Sequence, residues 1–203
     1  MAAEDHPTFF RSRRALLALG GAVALAGVGV AIVKWARFPP DTTPAGAYMR
    51  ITYELSRGNV RGVFSYLEDA AQHAAFTIRD YRKQASDLVA AHYPEPEKTR
   101  LLDEYRTYAE ASDGSDVWVD LATTRGFTAR LRRDLSGVAS SEVEGDRATI
   151  VTARGTRYPF RRRDNGMWGI TLFTADMVAL AERAARDLEV VQRAAEDYAR
   201  AGG

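Results

Sequence analysis

From Ala15 to Val33 the chain reads ALLALGGAVALAGVGVAIV, a run without one charged or strongly polar side chain. As a helix rising about 1.5 Å per residue it spans roughly 28 Å, close to the hydrocarbon thickness of a bilayer. Lipid offers the backbone no hydrogen-bond partners, and a helix supplies its own. Arg11, Arg13 and Arg14 precede the run; Lys34, Trp35 and Arg37 follow it. Trp35 suits the membrane interface, and the basic excess before the helix places the N-terminus in the cytoplasm. These features predict a single-pass membrane protein. Residues 1–14 form a cytoplasmic tail and 15–36 a transmembrane signal-anchor helix, in contact with the lipid bilayer through 15–33. The remainder is held outside the cytoplasm, in a periplasmic setting. A cleaved signal peptide is the competing reading. Ala24-Leu25-Ala26 has the small-x-small form, but apolar residues continue to Val33, which suits an uncleaved anchor.

The run Ser12-Arg13-Arg14-Ala15-Leu16-Leu17 resembles the twin-arginine family of export signals. It departs from that pattern at Leu16 and Ala18, where Phe and Lys are commonest. The resemblance implies export by that route as the alternative localisation.

Pro39-Pro40-Asp41-Thr42-Thr43-Pro44 closes a stiff linker over 37–44. Residues 45–203 carry 23 basic and 24 acidic side chains, so this domain is near neutral. A domain that neutralises phosphates of a nucleic acid shows a basic excess, and none is expected as a partner. The chain has no cysteine, which excludes disulfides, thiolate metal sites and a cysteine nucleophile.

Thr43 before Pro44 reads as a helix cap followed by proline at the first helical position. Tyr48, Ile51 and Leu55 share a face of that helix, which Gly58-Asn59 ends. Val60, Val63, Phe64 and Leu67 make a second short apolar face. Ala71, Ala74, Ile78, Tyr81, Ala85, Leu88 and His92 form one stripe of a helix over 69–92, ended by Pro94 and Pro96. A further helix is predicted over 97–110, then a loop at 112–115. Residues 116–135 suit two short helices broken at Gly126, although 117–119 also alternates as a strand would. Four β-rich runs follow, at 138–143, 148–154, 157–162 and 167–173, separated by Gly-containing turns. Residues 175–200 then form a long helix. The pattern predicts an α+β domain: helices on a curved antiparallel meander of three to four strands, with a long C-terminal helix behind an N-terminal transmembrane helix.

Ala47-Tyr48, Tyr53-x-Leu55, Gly58-Asn59 and Gly62-Val63 at the start, with Glu144-Gly145-Asp146-Arg147-Ala148 and Asn165-Gly166-Met167-Trp168 near the end, resemble the NTF2-like (SnoaL-like, cystatin-like) superfamily. The resemblance covers 45–173 and implies helices packed in the concave face of a sheet, forming a cone. The long helical region at 69–135 and the helix after the last strand depart from the family. Its members serve as enzymes, carriers and binding domains, so it transfers no activity. No catalytic motif of the family matches residue by residue.

No catalytic residue is assigned, and no cofactor or metal is expected. His73 and His92 lie roughly 28 Å apart on one helix, too far to share a ligand. Asp113, Ser115 and Asp116 lack the rest of a calcium loop and read as a turn. Arginine is the unusual local feature. Arg154, Arg157, Arg161 and Arg163 fall close together with no acid until Asp164, and on a strand Arg157, Arg161 and Arg163 would line the face opposite Tyr158 and Phe160. Such a basic stripe would meet a protein partner or an anionic lipid surface; the plainer reading is a solvated edge that discourages aggregation. Arg125, Arg130, Arg132 and Arg133 extend it if the fold brings them near. Tyr48, Tyr53, Tyr81, Tyr105 and Trp118 are candidates to line an apolar pocket, or plain core. Met177, Ala181, Ala184, Leu188, Val191, Ala195 and Tyr198 form a heptad-like seam, packed on the domain itself or on a second copy in a homodimer. Together these features predict a membrane-tethered, extracytoplasmic interaction module of an envelope-associated complex that works without catalysis. The alternative is a small apolar-ligand carrier, or an isomerase- or dehydratase-like enzyme, using the cone.

Overall fold

The computed structural model describes residues 39–201. The predicted cytoplasmic tail, anchor helix with its orientation, and twin-arginine-like signal lie outside them. Among the described residues no helix is long and apolar enough to cross a membrane.

Thr43 caps helix α1 (Pro44–Ser56) by accepting the Gly46 N–H at 3.1 Å. Helix α2 (Val60–Val63) and a 3₁₀ turn (Phe64–Tyr66) follow. Helices α3 (Asp69–His92) and α4 (Glu97–Ala109) come next. The ambiguous stretch resolves into α5 (Gly114–Thr124) and α6 (Phe127–Arg132), broken at Gly126, whose φ of +70° favours a residue without Cβ. Helix α5 begins inside the predicted loop because Asp113 caps it, accepting the Ser115 N–H at 2.8 Å. Strands β1 (Val138–Glu144), β2 (Arg147–Thr152), β3 (Arg157–Arg162) and β4 (Trp168–Ile170) form an antiparallel meander in sequence order. Helix α7 (Thr174–Ala201) ends the domain. The fold is α+β, with seven α-helices and a four-stranded sheet among the described residues.

Alternation along the strands sets the packing face. Ala148 and Ile150 on β2, Tyr158 and Phe160 on β3, and Trp168 and Ile170 on β4 are buried with Tyr48, Ile51 and Leu55 of α1. Every side chain of β1 past Val138 is exposed. At the other edge the chain at Leu67–Glu68 runs beside β4, and the Glu68 N–H donates to the Ile170 carbonyl at 3.2 Å. Strand β4 stops earlier than predicted because Phe173 turns inward. Its ring stacks on Phe127 at 4.7 Å and lies 5.6 Å from Trp118. These rings belong to the same buried cluster as the inner face of the sheet, and the Trp118 indole N–H donates to the Val60 carbonyl at 3.0 Å.

Helices α3 and α7 start together. The Thr174 hydroxyl donates to the Glu68 carboxylate at 2.6 Å, Arg82 pairs with Asp187, and Tyr93 meets Tyr198. Partner numbers climb on both helices, so the two run parallel. Helix α4 returns alongside, and the far halves enclose a second core of Ala85, Val89, Tyr93, Leu101, Tyr105, Leu188, Val191 and Ala195.

Candidate functional site

The sheet arginines do not form a free basic stripe. Arg157 makes two bonds to the Glu142 carboxylate on β1. Arg161 donates to Asp146 at 3.0 Å and reaches Glu68 at 3.5 Å. Arg163 leaves the outer face altogether. Its side chain, 11% exposed, turns in to Asp69, to the Ser65 carbonyl at 2.7 Å and to Gln72 at 3.1 Å. Arg154 alone of the four is exposed without an acidic partner among the described residues. Three of the matching acids stand on β1, in the β1–β2 turn and at the start of α3, which is why a local scan finds none nearby.

The five candidate pocket residues do not converge. Tyr48 and Trp118 are buried in the sheet-side core and Tyr105 in the distal one. Tyr53 is half-buried on α1, and Tyr81 edges a shallow groove between α3 and α7. Arg82 lies over the Tyr105 ring at 4.8 Å. Burial, then the neighbouring Tyr158, pushes the Tyr48 hydroxyl above its usual range. Tyr48 donates to the Ser136 carbonyl at 2.8 Å, and Tyr158 to the Asp134 carbonyl at 2.9 Å. The buried Asp134 carboxylate accepts the Ser136 N–H and the Thr152 hydroxyl. Hydrogen bonds from Ser136, then Thr152, hold its carboxyl well below the usual carboxylate range. These polar groups pin the 133–137 loop to the sheet.

The C-terminal seam is covered from within the chain. Met177 and Ala181 are buried in the sheet-side core, Leu188, Val191 and Ala195 in the distal one, and Ala184 is buried between them in sequence. Tyr198 is 38% exposed and sits on Tyr93. The intramolecular packing of the seam is the one observed.

The described residues do assemble one cluster of cations. Arg125 at the end of α5, Arg130 on α6, and Arg183 and Arg186 on α7 line a recess of about 480 Å³. Phe127, Ala179 and Leu180 form its apolar wall, and Asp176 is its one carboxylate. A second, deeper recess of about 220 Å³ adjoins it, sharing Arg125, Leu180 and Arg183. Arg82, Tyr108, Glu104 and Asp187 complete its polar lining. Arg130 reaches Asp176 at 3.3 Å and lies over Phe173; Arg186 is 4.0 Å from Glu182. No known protein family, curated protein or solved structure matches the chain.

Among the described residues neither Arg125 nor Arg183 has an acid within ion-pair distance. Asp187 is held by Arg82 at 2.6 Å and Glu104 by Arg100 at 3.2 Å, so both acids of the deeper recess are already matched. Tyr108 donates to Asp120 at 2.6 Å, and burial followed by that bond raises its hydroxyl above the usual range. Guanidinium forks bind carboxylate and phosphate oxygens bidentately. The cleft can hold an anion beside an apolar wall. No His, Asp and Glu grouping suited to a metal occurs among the described residues. His73 and His92 are both exposed.

Arg125 and Arg130 carried a sequence signal, but the fold takes them to α7 instead of the sheet. Arg183 and Arg186 lie i, i+3 on the outer side of the seam. That spacing marks one helix face and nothing more.

Proposed function

We propose that this chain is a membrane-tethered, extracytoplasmic binding module of an envelope-associated complex, anchored through residues 15–33, that captures an anionic partner group in the α5–α6–α7 arginine cleft. The observation that carries the reading is the contrast between the two arginine groups. On the sheet, Arg157, Arg161 and Arg163 are matched by acids of the same chain. In the cleft, Arg125 and Arg183 have no such match among the described residues. Four arginines share the larger recess with one carboxylate, and a ligand anion would relieve the repulsion among them. The continuous buried cluster shared by the helices and the inner face of the sheet supports binding at the surface over chemistry in a cone.

Two measurements test the reading. Full-length protein should stay with the membrane pellet after carbonate washing; release into the soluble fraction would remove the tether. Anion titration in nonionic detergent should give saturable binding that is lost in Arg183→Glu. Equal binding by that variant would remove the cleft.

A further inference from the structure

Strand β1 is an open edge of the sheet. Leu67–Glu68 runs beside the opposite edge at β4, whereas among the described residues nothing pairs with the far side of β1. A two-residue turn, Gly145-Asp146, joins β1 to β2, so the flanking pair Glu144 and Arg147 exchanges the closing hydrogen bonds. Backbone direction alternates from there. Glu142 and Ser140 turn their N–H and C=O groups toward β2; Val143 and Ser141 turn theirs outward. Val143 shares a face with the buried Ala148, yet it is 57% exposed. Lysine, proline or an inward-pointing charge commonly blunts such an edge. Strand β1 has no Lys or Pro, and its two charges, Glu142 and Glu144, lie on the face away from the helices. Its one irregularity is a bulge at the Val138 end.

We infer that β1 pairs antiparallel with β1 of a second copy, joining two sheets about a twofold axis at Ser141. Charge selects that register. An axis at Glu142 sets the two Glu142 side chains directly opposite each other, and an axis at Val143 sets Glu142 against Glu144. An axis at Ser140 leaves Val143 beyond the end of the facing strand. With the axis at Ser141, Glu142 faces Ser140 and Glu144 faces Val138, while the outward groups of Ser141 and Val143 meet Ser141 and Ala139 of the second copy. The same register supplies a counter-charge. Glu144 and Arg154 are both exposed, and neither makes an ion pair among the described residues. The Ala153 and Arg154 N–H groups donate to the Gly137 carbonyl and the Ser136 hydroxyl, just before Val138. Glu144 of the second copy therefore lands two strand spacings, about 10 Å, from the Arg154 backbone, within the combined reach of the two side chains. Inside one copy the two residues stand at opposite ends of β1, about 20 Å apart.

Full-length protein in nonionic detergent should sediment as a dimer. Arg154→Glu and Glu144→Arg should each weaken it about tenfold, because twofold symmetry places every change at two contacts. The double variant restores opposite signs and should return to within about threefold of wild type. The chain has no cysteine, so single cysteines report distance. Ser141→Cys, on the axis, should give a disulfide-linked dimer under mild oxidation. Glu144→Cys, about 20 Å from its copy, should stay unlinked. A monomer at about 100 μM overturns the proposal. So does a dimer that ignores both charge reversals, or one in which Glu144→Cys links as readily as Ser141→Cys; association then belongs to another surface. The ladder shares no residue with the arginine cleft, so its failure leaves anion binding untouched.

Discussion

Truncating Arg163 tests whether its charge serves the fold or the surface. In Arg163→Ala three contacts are lost together: the ion pair with Asp69, the bond to the Ser65 carbonyl at 2.7 Å and the bond to Gln72 at 3.1 Å. Hydrogen bonds involving a charged group contribute about 1.5–3 kcal/mol each, which sets an upper limit. Asp69 is 36% exposed, so water screens that pair and takes up part of the loss. The Ser65 carbonyl and Gln72 are left without their donor. The expected cost is about 3 kcal/mol, which for a chain of this size lowers Tm by about 6–12 °C. Urea unfolding of the full chain in nonionic detergent, followed by emission of the buried Trp118 and Trp168, should show a lower midpoint at unchanged slope. Arg157→Ala is the control. Its pair with Glu142 is more than half exposed on both sides, so its loss should cost less than about 1 kcal/mol. Equal midpoints for the two variants would refute the assignment of Arg163 to the interior.

Three further outcomes are expected. Asp134 titrates far lower in the folded chain than its unfolded pKa of about 3.9, so its stabilisation is complete above that value and is lost as pH falls below it; Asp134→Asn should flatten the acid limb of an unfolding curve below about pH 4, and an unchanged limb would assign acid sensitivity elsewhere. In Gly169→Ala the new Cβ would stand 2.7 Å from the Leu67 carbonyl oxygen and 2.8 Å from Glu68 backbone atoms, so the variant should lose about 1–3 kcal/mol in urea titration, whereas wild-type stability would mean the Leu67–Glu68 segment is free to shift. Leu188→Ala should cost about 2–5 kcal/mol while leaving the light-scattering mass unchanged; a smaller mass at full stability would show that the seam joins two copies.

Much of the fold was legible because periodicity is a local signal. The 3–4 spacing from Ala71 to His92 and the Gly-containing turns after residue 138 carry the helices and the meander without reference to distant residues. The Thr43-Pro44 cap worked for the same reason. The cap at Asp113 was present in the sequence too, but its Asp-Gly-Ser-Asp spelling reads equally well as a turn. What sequence could not supply was pairing across the chain. Arg157 finds Glu142 and Arg163 finds Asp69 only after the strands and α3 have been laid beside one another. The arginine cleft is illegible for the converse reason. Arg125 and Arg183 stand 58 positions apart in sequence and share a recess only because α7 lies along α3 and α5–α6 packs against its start.

The distal core also fixes an order of assembly. Val89 and Tyr93 on α3, and Leu101 and Tyr105 on α4, meet Leu188 and Val191 only across some ninety residues of intervening chain. Synthesis proceeds from the N-terminus, so these side chains stay in contact with water until the final helix emerges and lies down between them. A chain cut before Thr174 would keep its meander sequence whole and still present an apolar helical pair with nothing to cover it. Quality control acting on exposed apolar surface would then treat the fragment as unfinished, even though every strand had been made.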